Sequence, residues 1–385
     1  MIRRDTLIGK ITSLHWFLLL NIIAIAVFGV AILFSAASNQ HDAVTGALKL
    51  DPSLALDHAT RFILFLGIAI ALSLLPLRLW AGVAYPAYFI GVAMLIMVDV
   101  KGVVVNGSER WLQVAGSFRL QPSELMKLAL PLALARYYHQ MFEAGRSKFW
   151  VHIWALAFVA IPTILVLRQP DLGTAMMIAA TGLAVIFFAG IDLRIVGVCL
   201  GLVACAAPVV YFFGLHGYQR ERVDTMFNPA SDPLGKGYQL QQGLIAIGSG
   251  GAGGKGYMEG QQKELNYIPE QRTDFIFTVP AEEFGFVGCI AILIAWGAAL
   301  LQGMGIASRS GSTFGSLAGA GFVSTLTFYV VINIGMVIGL LPVVGIPLPL
   351  ISYGGTVMLT VMIGFGLLMA VHLNRDQNMS LRGIL

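Results

Sequence analysis

Apolar runs of roughly helical span recur along the chain, broken by short polar stretches. A helix that crosses a bilayer needs roughly 20 apolar residues. By that measure ten segments stand out, at about 16–36, 61–76, 80–98, 122–137, 150–167, 171–190, 194–214, 281–304, 314–341 and 350–373. Only Pro76-Leu77-Arg78 separates the second from the third, which predicts a tight turn. One stretch breaks the pattern: Tyr218 to Phe284 is polar and dotted with glycine. Connections longer than about 12–15 residues are usually functional or disordered. This one keeps Tyr238, Leu244, Ile245, Tyr267, Phe275 and Phe277, which favours a folded, site-bearing loop. The pattern predicts an all-α polytopic membrane protein: ten transmembrane helices in a single domain, 1–385, with a large extracytoplasmic loop at about 215–280 between helices 7 and 8.

Composition agrees. Of 385 residues, 57% are hydrophobic and 11% charged, with mean hydropathy +0.80, whereas soluble domains average about 25% charged residues. A net charge of +4 does not point to nucleic acid; in a membrane protein the placement of the basic residues matters more than their sum. Ten crossings put both termini on one side. That side carries Arg3, Arg4, Lys10, Arg78, Arg136, Arg146, Lys148, Arg194, Arg309, Arg375 and Arg382, against Lys49, Lys101, Arg110, Arg119 and Arg168 on the other. The positive-inside rule makes the termini cytoplasmic and the loops at 99–121, 168–171, 215–280 and 342–349 extracytoplasmic, facing away from ATP. The N-terminus mimics a signal peptide, but its apolar run from Trp16 to Phe34 is long enough to cross, so an anchor is expected. Cys199, Cys205 and Cys289 lie in apolar runs without metal-ligand spacing and predict no chemistry.

Candidate chemistry concentrates in the extracytoplasmic stretches. Glu124 and Lys127 sit three apart in an apolar run opened by Pro122, so they share a helix face. The plainer reading is a self-satisfied ion pair with Lys127 snorkelling to the headgroups. The sharper one is a polar cavity in which Lys127 meets a phosphate, since ionisable residues within membrane helices are costly and by default functional. Asp274 is either a turn-capping carboxylate or, with Phe275, Ile276 and Phe277 directly after it, a partly buried base. Glu282 and Glu283, after Pro280, read as helix-start acids favoured by the macrodipole. Gly248-Ser-Gly-Gly-Ala-Gly253 matches a dinucleotide pattern but lacks a βαβ unit, so the glycines are expected to serve close backbone packing. Trp111, beside Arg110, is as readily an interfacial anchor as a substrate contact. Asn333, Ser352 and Tyr353 suggest helix–helix hydrogen bonds. Metalloprotease and serine-hydrolase motifs do not occur.

Arg110-Trp111, Gln121-Pro-Ser-Glu-Leu-Met-Lys127, Gln169-Pro-Asp-Leu-Gly-Thr174, the loop from Asn228 to Phe284, Asn333-Ile-Gly-Met336 and Leu341-Pro-Val-Val-Gly-Ile-Pro-Leu-Pro-Leu-Ile-Ser-Tyr-Gly-Gly355 together resemble the SEDS (shape, elongation, division, sporulation) polymerases of bacterial cell-wall synthesis. Ile247-Gly-Ser-Gly-Gly251, Gly254-Lys-Gly256 and Pro342-Val-Val-Gly345 are similar to the elongation branch rather than the division branch. The resemblance covers nearly the whole chain. It implies a peptidoglycan glycosyltransferase that polymerises lipid II at the inner membrane during elongation and rod-shape maintenance. A class B penicillin-binding protein, the cross-linking transpeptidase, is the implied partner. The family's essential aspartate corresponds to Asp274, and its functionally sensitive positions to Arg110, Trp111, Glu124 and Lys127; Glu270 and Arg272, flanking Asp274, join the expected substrate-binding set. Arg272 stands where the family usually has His, and Pro280 where it usually has an aliphatic residue, which predicts a bent start to helix 8.

Joining sugars this way requires a base for a poor hydroxyl nucleophile and cations for a departing diphosphate. Asp274 is the candidate base; Lys127 and Arg110 are the candidate cations, with Mg²⁺ or Mn²⁺ as a possible cofactor that Asp274 could hold instead. No all-protein metal site is expected. A lipid-linked precursor flippase shares fold and substrate but needs a polar path across the bilayer, and a non-catalytic scaffold needs none of these residues.

Overall fold

The computed structural model describes residues 7–38, 40–41, 48–105, 108–115, 118–146, 149–209, 211–212, 217–229, 232, 235–261, 270–377 and 379. A short α1 (Leu7–Thr12) leads into α2 (Trp16–Ala37), a two-residue strand pair β1 (Gln40–His41) and β2 (Leu48–Lys49), then α3 (Ser53–Ser73) and α4 (Leu77–Lys101). Next come β3 (Val103–Val105), β4 (Ser108–Ala115) and β5 (Phe118–Leu120), paired antiparallel in that order. Helices α5 (Pro122–Glu143), α6 (Phe149–Arg168), α7 (Leu172–Phe188) and α8 (Leu193–Val209) follow. The long loop contributes α9 (Gly217–Phe227) and α10 (Lys236–Gly250), and the chain finishes with α11 (Thr278–Ser308), α12 (Thr313–Val337) and α13 (Gly355–Leu373).

Every apolar segment read from the sequence carries a helix. Among the described residues, seven of these helices are long and apolar enough to cross a membrane, and α7 is a shorter apolar one. The fold is mostly helical rather than all-α, because two small sheets cap the loops. Helix α3 begins earlier than the apolar run suggested and takes in Asp57 and His58 ahead of Arg61.

Helices α5, α12 and α13 form the centre. Helix α12 packs on α5, α7 and α11, while α13 packs on α3. Apolar solvent gives no hydrophobic drive between helices, so close approach depends on small side chains. Helix α12 supplies them at Gly315, Ala318, Gly319, Ala320 and Gly321, all buried. Ser312 caps its start by accepting the Gly315 N–H at 3.0 Å.

Helix α11 is broken. Gly285 has φ 62° and ψ −155°, and the chain resumes helical geometry beyond it. The bend comes at this glycine, not at Pro280, which sits in the first turn where its ring is tolerated. A broken helix frees backbone groups that hydrocarbon cannot satisfy. Here the glycine-rich turn after α10 satisfies them: Phe286 N–H donates to Gly251 O (2.9 Å), and Lys255 and Gly256 N–H donate to Glu282 O and Glu283 O (3.0 Å each). A Cβ on Gly254 would collide with the Glu283 carbonyl. Glu282 and Glu283, expected as helix-start acids, are instead 1% exposed. Glu282 accepts from Lys255 Nζ (2.7 Å) and Gln261 N–H (2.9 Å), and Glu283 accepts from the Ser35 hydroxyl.

Candidate active site

Helix α5 starts where Pro122 takes the first-turn position and Glu124 sits near the positive end of the dipole. Three residues on, Lys127 points from the same face. Lys127 Nζ donates to Glu124 Oε1 at 2.6 Å and to the Tyr329 hydroxyl at 2.9 Å, and Tyr329 donates to Glu124 Oε2. Lys127 is 2% exposed and Glu124 4%, so the lysine does not snorkel. The ion pair of the plainer reading exists, and it forms part of a cavity wall.

Arg110 and Trp111 project from β4 rather than from an irregular loop. Arg110 is clamped to the connection before α7: Nη2 donates to Pro170 O (2.6 Å), Nε to Gln169 O (3.3 Å), and Nη1 lies 3.3 Å from Asp171 Oδ2. Asp171 also caps α7 by accepting the Thr174 N–H at 3.1 Å. One carboxylate thus fixes both a helix start and a guanidinium.

Asp274 lies in the turn before α11, and its restraints come from distant sequence. Asn333 Nδ2 donates to Asp274 O (2.8 Å) and to Ile346 O (2.6 Å). The Ser352 hydroxyl donates to Thr273 O (2.6 Å), and Tyr353 N–H donates to Arg272 O (3.0 Å). Asn333, Ser352 and Tyr353 therefore stitch two turns together instead of joining helices. Gly345 has φ +75°, and a Cβ there would stand 3.1 Å from Asp274 Oδ2, so a side chain at 345 would crowd the carboxylate. The partner turn is anchored in its own right: His58 Nε2 lies 3.0 Å from Leu350 O, Tyr353 donates its hydroxyl to Asp57 Oδ2 at 2.6 Å, and Arg61 pairs with Asp57 at 2.7 Å. Outside the spans, burial and the bond to Asp57 raise the Tyr353 pKa, keeping it a neutral donor.

These parts converge on one cavity of about 690 Å³. Its walls include Arg110, Trp111, Glu124, Lys127, Glu270 and Asp274, so six of the seven site residues expected from sequence meet. Arg272 does not; its side chain is exposed and only its backbone carbonyl takes part. Glu270 accepts the Thr273 hydroxyl at 2.8 Å. The structure adds Asp171, Arg222 from α9, Thr273, Gly345 and Tyr353 to the walls, and Tyr329 behind them. Asp171 carried a signal, an acid just before an apolar run; Tyr329 carried none.

Comparison with known proteins finds relatives over most of the chain. The family described as cell cycle proteins FtsW, RodA and SpoVE matches residues 15–377. The chain belongs to that family. Among other members, the peptidoglycan glycosyltransferase MrdB of Escherichia coli (strain K12) is 43% identical over 311 residues, 80% of this chain and 83% of the relative. The stage V sporulation protein E of Bacillus subtilis (strain 168) is 34% identical over 372 residues, 94% of this chain and 98% of the relative. Of solved structures, a chain from a peptidoglycan synthase complex that coordinates polymerization and crosslinking superposes with TM-score 0.80 at 33% identity, over 94% of this chain and 99% of that one. The rod shape determining protein RodA of Thermus thermophilus gives TM-score 0.69 at 30% identity, over 94% and 98%.

Proposed function

We propose that this FtsW/RodA/SpoVE-family chain is a peptidoglycan glycosyltransferase that polymerises lipid II during elongation. In this reading the helices make ten crossings of the inner membrane, with cytoplasmic termini and the cavity on the outer side. The observation that carries the reading is the single cavity where Asp274 shares walls with Arg110, Trp111, Glu124 and Lys127.

The acceptor sugar's C4 hydroxyl oxygen attacks C1 of the donor, the C1–O bond to the lipid diphosphate breaks, and the hydroxyl proton leaves. Asp274, held by its backbone and with Gly345 leaving room beside it, takes that proton; such help contributes about 10²–10⁴-fold. Arg110, fixed by Asp171, and Arg222 meet the charge on the departing diphosphate. Lys127, already held by Glu124 and Tyr329, gives the floor its positive charge and orients what sits on it.

A divalent ion fits this donor set in one form. Among the described residues no group of three metal-ligating side chains occurs, and Glu124 and Asp171 are engaged by Lys127 and Arg110. Mg²⁺ or Mn²⁺ would take Asp274, with Glu270 nearby, and fill its shell with water and substrate phosphate, as Mg²⁺ commonly does. It would supply charge neutralisation at the diphosphate. A class B penicillin-binding protein is the proposed partner, cross-linking the new strand.

The test is polymerisation of purified lipid II with the partner present. Asp274→Asn is expected to remove product while expression and folding persist; full activity in that variant would remove Asp274 from the mechanism. Adding a chelator to the same assay reads out the ion.

A further inference from the structure

A second cavity, of about 560 Å³, lies at the other end of the bundle, between the start of α2 and the ends of α11 and α13. Helix α13 separates the two cavities by its 19 residues, roughly 27 Å at 1.5 Å per residue. The walls of the second are His15, Gln302, Gly305, Arg309, His372 and Arg375, with Leu301 and Ile306.

The chemistry of this lining is cationic and rich in donors. Arg309 is the C-cap of α11, where the dipole favours a cation. Among the described residues no carboxylate lies within ion-pair distance of it, and Arg375 Nε lies 3.8 Å from Asp376, which is 69% exposed and lies outside the cavity wall. Arg375 Nη1 stands 3.0 Å from His372 Nε2, so a neutral His372 accepts that N–H and aims the guanidinium. His15 Nδ1 accepts the Leu18 N–H at 3.2 Å, which leaves Nε2 to carry a proton as a donor. Burial lowers the His15 pKa, and the charges of Arg309 and Arg375 lower it further, so both arginines are felt at one ring. Among the described residues the two guanidinium groups have only one carboxylate at ion-pair distance between them, the exposed Asp376 beside Arg375.

The geometry points to a binding site here for the phosphate headgroup of an anionic membrane lipid. The ligand chemistry is a phosphate oxyanion, which arginine forks recognise in a bidentate manner. A lipid is favoured over a soluble phosphate by position: Leu301, 77% exposed, continues the wall toward the membrane-facing side of α11, where Ile294 is 65% exposed. Headgroup and acyl chain would thus meet cationic and apolar surface in the order a bilayer presents them. The site rests on this cavity alone and does not depend on the reaction proposed above.

The experiment is native mass spectrometry of the full chain released from vesicles of mixed phosphatidylcholine and phosphatidylglycerol, counting retained lipids. Wild type is expected to retain phosphatidylglycerol selectively. Arg309→Gln with Arg375→Gln should lower that retention by about tenfold or more, since each basic residue near an anionic surface contributes several-fold. Gly305→Leu should do the same with both arginines intact, because a Cβ at 305 meets nothing within 4 Å and a longer side chain would grow into the cavity. Arg146→Gln, at an exposed basic residue elsewhere, should leave retention unchanged. Unaltered retention in both cavity variants, or an equal loss with Arg146→Gln, would overturn the site. Displacement of the lipid by inorganic phosphate alone would overturn the lipid assignment.

Discussion

Glu124, Lys127 and Tyr329 form a closed triangle of hydrogen bonds inside the helical core. Removing one partner of a buried pair leaves an uncompensated charge, a loss of about 3–5 kcal/mol. Lys127→Met should therefore destabilise the protein by that order in thermal or denaturant unfolding, and Glu124→Gln added to it should recover much of the loss while polymerisation stays low. Gly345 makes a different prediction. Alanine there is strained at φ +75° and stands against the Asp274 carboxylate. Displacement by about an ångström can cost roughly 10²-fold in rate, so Gly345→Ala should lose most polymerisation with the fold intact by gel filtration. Glu124 and Lys127 were legible in sequence because a charge in an apolar run stands out. Tyr329 and Gly345 were not, since Tyr329 acts on residues 202 and 205 positions earlier and Gly345 acts by leaving space beside Asp274, which no local pattern reports.

At the level of elements, the break in α11 and the glycine turn that fills it act as one unit. Gly285→Ala would place a Cβ against Gly254 at a backbone conformation that costs about 1–3 kcal/mol for a non-glycine residue. The expected outcome is easier proteolysis in the 251–261 turn and lower yield, with Gly297→Ala, where a Cβ has open space, as a neutral control. Spanning helices were readable because hydrocarbon demands long apolar runs. The strands β3 to β5 were not, because three-residue pairings carry little periodicity, and Arg110 and Trp111 were placed in a loop when they ride on a hairpin. Helices α9 and α10 were veiled by polar and glycine-rich composition.

For the whole molecule, the two cavities lie at opposite ends of α13, which turns the proposed orientation into a labelling experiment. In a chain with its native cysteines replaced, Gln261→Cys should react with an impermeant maleimide from the outer side and Ser308→Cys only from the inner side; both positions are exposed. The reverse pattern would place the Asp274 cavity in the cytosol. One earlier feature reaches furthest at this scale. The turn that bears Asp274 is pinned by Asn333, Ser352 and Tyr353, and the segment holding those in place is itself gripped by α3 near the opposite end of the chain. A ribosome delivers residue 274 well before residue 353, so a nascent chain carries the carboxylate proposed as the base before the residues that pin its turn. On the proposed mechanism, the turn bearing Asp274 gains its restraints only once α13 packs beside α3.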